Sequence, residues 1–419
     1  MFSTWAALTG LAVAIVLIVR KTTPVYALAL GALVGGLLGG GGLVATVGAM
    51  ISGVQSMVPS VLRILASGVL AGALVKTGSA ERIADAIVKA LGMRFALVAI
   101  AVAALVVTAV GVFIDIAVIT VAPVALAVGR RAGLPIPALL LAMVGGGKAG
   151  NVISPNPNTI AAADAFNVDL TSLMAANVVP AACALVVTVL LSMFLARKGA
   201  AKAAAVGAAA DEATSASLPG IFAAVAGPLV VIALLALRPV CGVAVDPFVA
   251  LPAGGLVSIL VCGRWRETTD ICEFGLSKVV GVSILLIGTG MVAGIIKGSG
   301  LNGDMVAVLN ACHLPAFALA PLSSVLLSGA TASTTAGVTI AAQTFSGTLV
   351  QAGVPALAAA AMLHAGGTVF DALPHGSFFH ATAGAVGMSV KDRLKLFPYG
   401  ALVGATSTVA SVLVYVIGR

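Results

Sequence analysis

The sequence predicts an all-α polytopic membrane protein made of two inverted-topology repeats, each with five membrane crossings, one of them interrupted, plus a re-entrant helical hairpin. Three observations carry this. Of the 419 residues 60% are hydrophobic and only 9% charged, and apolar runs of about 17 to 25 residues, enough to cross about 30 Å of hydrocarbon, recur from end to end. The stretch AGLPIPALLLAM (132–143) is echoed by AGVPALAAAAM (352–362), and Pro155 and Pro374 follow Met143 and Met362 at the same distance. Finally, apolar runs in the two halves are broken at corresponding places, by GGGKAGNVISPNPNT (145–159) and by HAGGTVFDALPHGSFFH (364–380).

Residues 1–196 form the first repeat. Spans are expected near 4–20, 24–43 and 57–76. The run from Trp5 has no basic residues ahead of it and no small-residue cleavage site behind it, so it is expected to be retained. A hairpin is expected over 95–130, because Gly111-Val-Phe-Ile-Asp115 separates two short apolar legs, and Arg94 and Arg130-Arg131 ask for the same side. An interrupted span over 136–170 and a last span at 174–196 complete the half. Residues 197–217, RKGAAKAAAVGAAADEATSAS, cannot span a bilayer and are expected as a cytoplasmic linker. The second repeat, 218–419, is expected to run through spans at 218–237, 247–262 and 281–296, a hairpin over 314–354, an interrupted span over 356–388 and a span at 398–416.

Orientation follows from the basic residues. An odd number of crossings per half inverts the second repeat. With the linker inside and both termini external, all of the 22 lysines and arginines fall on the cytoplasmic side except Arg63, Lys148, Arg238, Lys297 and Arg419. The net charge of +8 is therefore assigned to loop orientation, with no nucleic-acid partner. The five cysteines lack metal-ligand spacing, and no HExxH or GxSxG motif occurs. No metal, no cofactor and no enzymatic activity are expected.

What remains polar inside the membrane defines the candidate site. Irregular backbone at that depth is tolerated only where it is buried in protein or lines a wet cavity, and interrupted helices in paired halves are a mark of secondary transporters. Helix starts at the breaks attract anions, and Lys148 adds a positive charge there. The expected substrate-binding residues are Lys148, Asn151, Ser154, Asn156, Asn158 and Thr159 of the first break, Thr331, Ser333, Thr334 and Thr335 of the second hairpin, and His375 and Ser377 of the second break. Asp115, Asp371 and His375 are the groups expected to take up and release a proton, with a structural pairing of Asp115 with Lys148 as the alternative for that acid. His364 and His380 flank the second break, whereas His313 is expected in an external loop.

Two of these motifs resemble the gluconate permease (GntP-type) family of the ion transporter superfamily. GVFIDIAVITVAP (111–123) is similar to the family's first-hairpin motif, in which an acidic residue follows an aromatic or aliphatic pair and a proline comes eight positions later, here Asp115 and Pro123. FDALPHGS (370–377) is similar to its Asp-x-Leu-Pro-His-Asn-Gly stretch at Asp371, Leu373, Pro374 and His375, and departs from it at Gly376 and Ser377. SGATASTTAG (328–337) resembles the family's second hairpin more loosely. Where the family has Ser-His-x-Asn-Asp in the first break, this chain has Ser154-Pro155-Asn156-Pro157-Asn158. The resemblance implies a homodimer in the bacterial inner membrane that moves a transport domain against a scaffold, elevator fashion. It implies proton-coupled uptake of a small hydroxylated organic anion, such as a gluconate-like sugar acid, glycerate or hydroxybutyrate. Sodium-coupled transport of di- or tricarboxylates is the alternative, with an anion channel behind it.

Overall fold

Helix ends in this chain fall largely where glycine and proline stand. The computed structural model describes residues 2–199, 218–311, 315–374 and 376–418, and the regular elements within them are helices. The first half runs α1 (Thr4–Val19), α2 (Pro24–Leu38), α3 (Gly42–Gln55), α4 (Val58–Lys76), α5 (Ser79–Leu91), α6 (Ala96–Ala109), α7 (Ile114–Ala132), α8 (Ile136–Asn151), α9 (Pro157–Phe166), α10 (Leu170–Ala176) and α11 (Val178–Gly199). The second runs α12 (Ile221–Cys241), α13 (Pro247–Val261), α14 (Thr268–Lys297), α15 (Leu301–Ala311), α16 (Leu319–Thr331), α17 (Thr334–Gln351), α18 (Ala356–Gly366), α19 (Ser377–Ala385) and α20 (Val390–Ile417). Proline opens α2, α4, α8, α9 and α13, where its missing N–H costs nothing. Left-handed caps close others: Gly133 and Gly353 (φ 63° and 80°) end α7 and its counterpart α17, and Asn167 and Gly387 (φ 52° and 63°) follow α9 and α19. Both pairs stand 220 residues apart, the offset of the AGLP and AGVP stretches.

Helices α6 and α7 fall in the segment expected to form the first hairpin and α16 and α17 in that expected to form the second, and non-helical breaks separate α8 from α9 and α18 from α19. Several expectations need correction. The span expected to end at 43 stops at Leu38, because the chain turns through Gly40 and Gly42, both at positive φ, into α3. Helix α14 begins at Thr268 rather than 281, since Asp270, Glu273 and Lys278 interrupt an apolar run without interrupting a helix. Helix α20 begins at Val390 rather than 398: the Ser389 hydroxyl caps it by accepting from the Asp392 N–H, and Pro398 stands inside. Arg393, expected in a cytoplasmic loop, is thereby buried in that helix. The linker from residue 200 to 217, together with His313 and His375, lies outside the described residues.

By length and composition, α4, α11, α12, α14 and α20 can each cross a membrane alone, and α5 with α6 forms a pair bent by 106°. The helices pack as two bodies. Helices α1–α4 pack with α12–α14, and α6–α11 pack with α16–α20. The first body is joined by bare backbone: a Cβ on Gly53 would lie 2.0 Å from the Gly290 carbonyl oxygen, and one on Gly275 2.0 Å from that of Gly68. Such close approach replaces the hydrophobic drive that helices lack in lipid. Amphipathic α5 bridges the bodies, touching α12 on one side and α6 and α7 on the other. It buries Ala80, Ile83, Ala84 and Val88.

Candidate functional site

The first break is built around Asn156, which caps α9. Its Oδ1 accepts from the backbone N–H groups of Asn158 (2.8 Å) and Thr159 (3.1 Å). That fixes the direction of the amide. Its Nδ2 then donates to the Asn151 carbonyl and to Asn151 Oδ1, both at 2.8 Å, and Asn158 Nδ2 donates to the same Oδ1 at 3.1 Å. The opposite ends of those two amides, Asn151 Nδ2 and Asn158 Oδ1, are buried and have no hydrogen-bond partner among the described residues. A donor and an acceptor are thus left over on two neighbouring amides. Thr159, donating to the Ser154 carbonyl at 2.6 Å, closes the loop behind them.

Lys148 and Asp371 join the two halves. The Lys148 ammonium lies 2.7 Å from Asp371 Oδ1, with the two side chains 1% and 2% exposed. It also donates to the carbonyls of Thr368 (2.5 Å) and Gly400 (3.2 Å). The ammonium is thus held among three oxygens, by charge at Asp371 and by hydrogen bonds at the two carbonyls. The other carboxylate oxygen, Asp371 Oδ2, accepts from the Thr334 hydroxyl at 2.8 Å. The ion pair therefore pins the first break, the second break and the second hairpin at one point. The alternative partner considered for Lys148, Asp115, is not the one it takes.

Where α1, α2 and α14 of one body face the hairpin tips and breaks of the other, a cavity of about 540 Å³ opens. Of the sequence-predicted residues, Asp115, Asn151, Asn158, Thr331, Ser333, Thr334, Thr335, Asp371 and Ser377 line it. Lys148, Ser154, Asn156 and Thr159 do not: they are buried behind the wall as its support. The structure sets Lys148 back from the cavity, its ammonium beside Asp371 and the carbonyls of Thr368 and Gly400. His380 Nε2 lies 2.7 Å from the Pro374 carbonyl oxygen. Asp115, at the first hairpin tip, has no ion-pair partner among the described residues. Sequence reasoning missed Lys278, which enters the cavity from α14. The signal was its place four residues after Phe274 in a helix that should have been extended toward the terminus.

A separate set of charges ties the bodies together elsewhere. Arg63 of α4 pairs with Asp164 of α9 and, at 2.7 Å, with Asp246 before α13; the Ser60 hydroxyl lies 2.5 Å from Asp164, and Arg238 of α12 pairs with Asp169. The charged members of this set line a second cavity of about 260 Å³. The hydrogen bond from Arg63 holds the Asp246 carboxyl below the usual carboxylate range. Lys76 stands at the other end of α4, 13 residues or about 20 Å from Arg63.

A largely apolar cavity between two bodies of helices, with polar side chains from broken helices and hairpin tips in its wall, is the site of a multi-pass membrane permease. The GntP family permease model matches residues 3–418, and the chain belongs to that family. It is 50% identical over 413 residues, 98% of this chain and 97% of the relative, to an uncharacterized transporter of Haemophilus influenzae. Its fold is similar to the crystal structure of the Alcanivorax borkumensis YdaH transporter, which is described as having an unusual topology. The TM-score is 0.67 at 18% identity, covering 91% of this chain and 90% of that one.

Proposed function

We propose that this permease is a proton-coupled secondary transporter that imports a small hydroxylated organic anion, of the gluconate, glycerate or hydroxybutyrate kind, across a bacterial inner membrane. The carrying observation is the 540 Å³ cavity, which Asn151 and Asn158, each with one amide atom left without a hydrogen-bond partner among the described residues, line together with Ser333, Thr334 and Thr335. Hydroxyls of a ligand both donate and accept, so a polyol or hydroxy acid suits a wall that offers both kinds of partner. Asp371 is held by Lys148 and Thr334, and Asp115, the cavity acid outside an ion pair among the described residues and near the charge of Lys278, is the one assigned to take a proton with the substrate.

Two inverted repeats account for the paired caps 220 residues apart, and an elevator-like motion accounts for the division into bodies. In this reading α1–α4 with α12–α14 are the scaffold, the dimer partner packs on that scaffold, and the remaining bundle carries the substrate. The cavity wall includes Ile18 and Thr23 to Val25, next to Arg20 and Lys21, on the face assigned to the cytoplasm. The Arg63 and Arg238 pairs then close the opposite face. A thermal-shift series on the purified protein tests the substrate class. A hydroxylated carboxylate should raise the melting temperature while the corresponding neutral polyol does not. A series in which neutral polyols stabilise as well as the acids contradicts the assignment.

A further inference from the structure

We propose that Lys278 is the specificity-determining cation of the cavity, meeting the carboxylate of the transported anion from the scaffold side. The inference rests on the organic-anion reading above and deepens it. An anion in a largely apolar enclosure needs a positive partner. Lys148 is buried behind the wall and does not line the cavity, its charge paired with Asp371 and its ammonium donating to the carbonyls of Thr368 and Gly400. Among the described residues lining the cavity, Lys278 is the cation that remains.

The position of its ammonium fits that role. Lys278 Nζ rests 4.8 Å from the centroid of the Phe274 ring, one turn back on α14, and Lys76 Nζ lies 4.8 Å from the centroid of the same ring. Two like charges share one aromatic ring there, and Lys278 has no carboxylate within ion-pair distance among the described residues. The side chain is exposed and its four-carbon stem is flexible, so turning from the ring to a carboxylate in the cavity breaks no ion pair. The ligand would then be held at both ends, its carboxylate on Lys278 and its hydroxyls on Asn151, Asn158 and the second hairpin.

The two ends belong to different bodies. Lys278 lies on α14 of the scaffold, whereas the amides and hydroxyls lie on the bundle proposed to move. Any displacement of that bundle along the scaffold separates the anion from this lysine. Lys278 therefore sets affinity on the face at which the cavity now stands, and much less on the other.

The test uses potassium gluconate, potassium glycerate and potassium 3-hydroxybutyrate as probes. Binding is measured by calorimetry on the wild type, Lys278→Gln, Lys278→Arg and, as a control off the cavity wall, Lys76→Gln. A charge-assisted hydrogen bond lost corresponds to roughly a tenfold or greater weakening. Lys278→Gln should show that loss together with a flatter dependence on salt, Lys278→Arg should retain most of the affinity, and Lys76→Gln should stay within about twofold of wild type. In proteoliposomes sorted by orientation, Lys278→Gln should raise KM at one face more than at the other. Wild-type binding of a probe with unchanged affinity and salt dependence in folded Lys278→Gln overturns this inference alone. A wild type that binds none of the three anions overturns the organic-anion reading and this inference with it.

Discussion

Replacing Lys148 by alanine should damage the fold before it says anything about transport. The variant strips a carboxylate with 2% side-chain exposure of its ionic partner, leaving Asp371 with Thr334 alone. Removing one member of a buried pair costs about 3–5 kcal/mol, because the other charge stays desolvated and unpaired. The carbonyls of Thr368 and Gly400 lose a donor as well, each worth about 1 kcal/mol. Against a total stability on the order of 5–15 kcal/mol, this is a large fraction. Replacing both partners by apolar residues, Lys148→Met with Asp371→Leu, removes the stranded charge and should recover much of the loss. Denaturation in mild detergent, followed for both single variants and the double, reads the coupling directly. Additive single-variant losses, or a Lys148→Ala protein within about 1 kcal/mol of wild type, would refute the pairing as the clamp between the breaks.

Other outcomes follow from the same geometry. Cysteines at Ser60 and Asp164, whose side chains touch across the two bodies, should form a disulfide or mercury bridge that stops transport reversibly; a cross-linked protein that still turns over would rule out motion at that contact. Asn156→Ala removes the α9 cap, costing about 1 kcal/mol, and also releases Asn151 and Asn158 from their fixed orientation, so ligand affinity should fall along with stability. For Asp246 the folded pKa is depressed by Arg63, so its contribution is complete above the ordinary carboxylate value of about 3.9 and is lost as pH falls through the lower folded value. Wild type and Asp246→Asn should therefore differ in thermal stability at pH 5 and converge toward pH 3. The gap should be small, the Asp246 side chain being 44% exposed.

The hairpins and broken helices were legible because their ends are written in residue types with few backbone options. Gly133, Pro135, Gly353 and Pro355 mark the start of α8 and α18 within three residues. Helices α3, α5 and α10 were not legible, since they are short or amphipathic and a search for apolar runs passes over them. The same bias hid the first turns of α14 and α20, and with them Lys278 and the burial of Arg393. At the site, the polar residues were legible as exceptions in an apolar chain. Their partners were not: Lys148 meets an acid in the other half, and which of two candidate acids it meets is decided by tertiary packing alone. Asn151 and Asn158 face the cavity, while Asn156 and Thr159 of the same motif stand behind it.

The central claim is that a proton carried on Asp115 drives uptake of the organic anion, and uptake by reconstituted proteoliposomes tests it most directly. With labelled substrate outside, an inward pH gradient and no sodium, wild-type protein should accumulate substrate above equilibrium. Asp115→Asn should exchange substrate across the membrane yet fail to accumulate it. Accumulation that ignores the pH gradient and requires sodium, or that survives Asp115→Asn undiminished, would contradict the account.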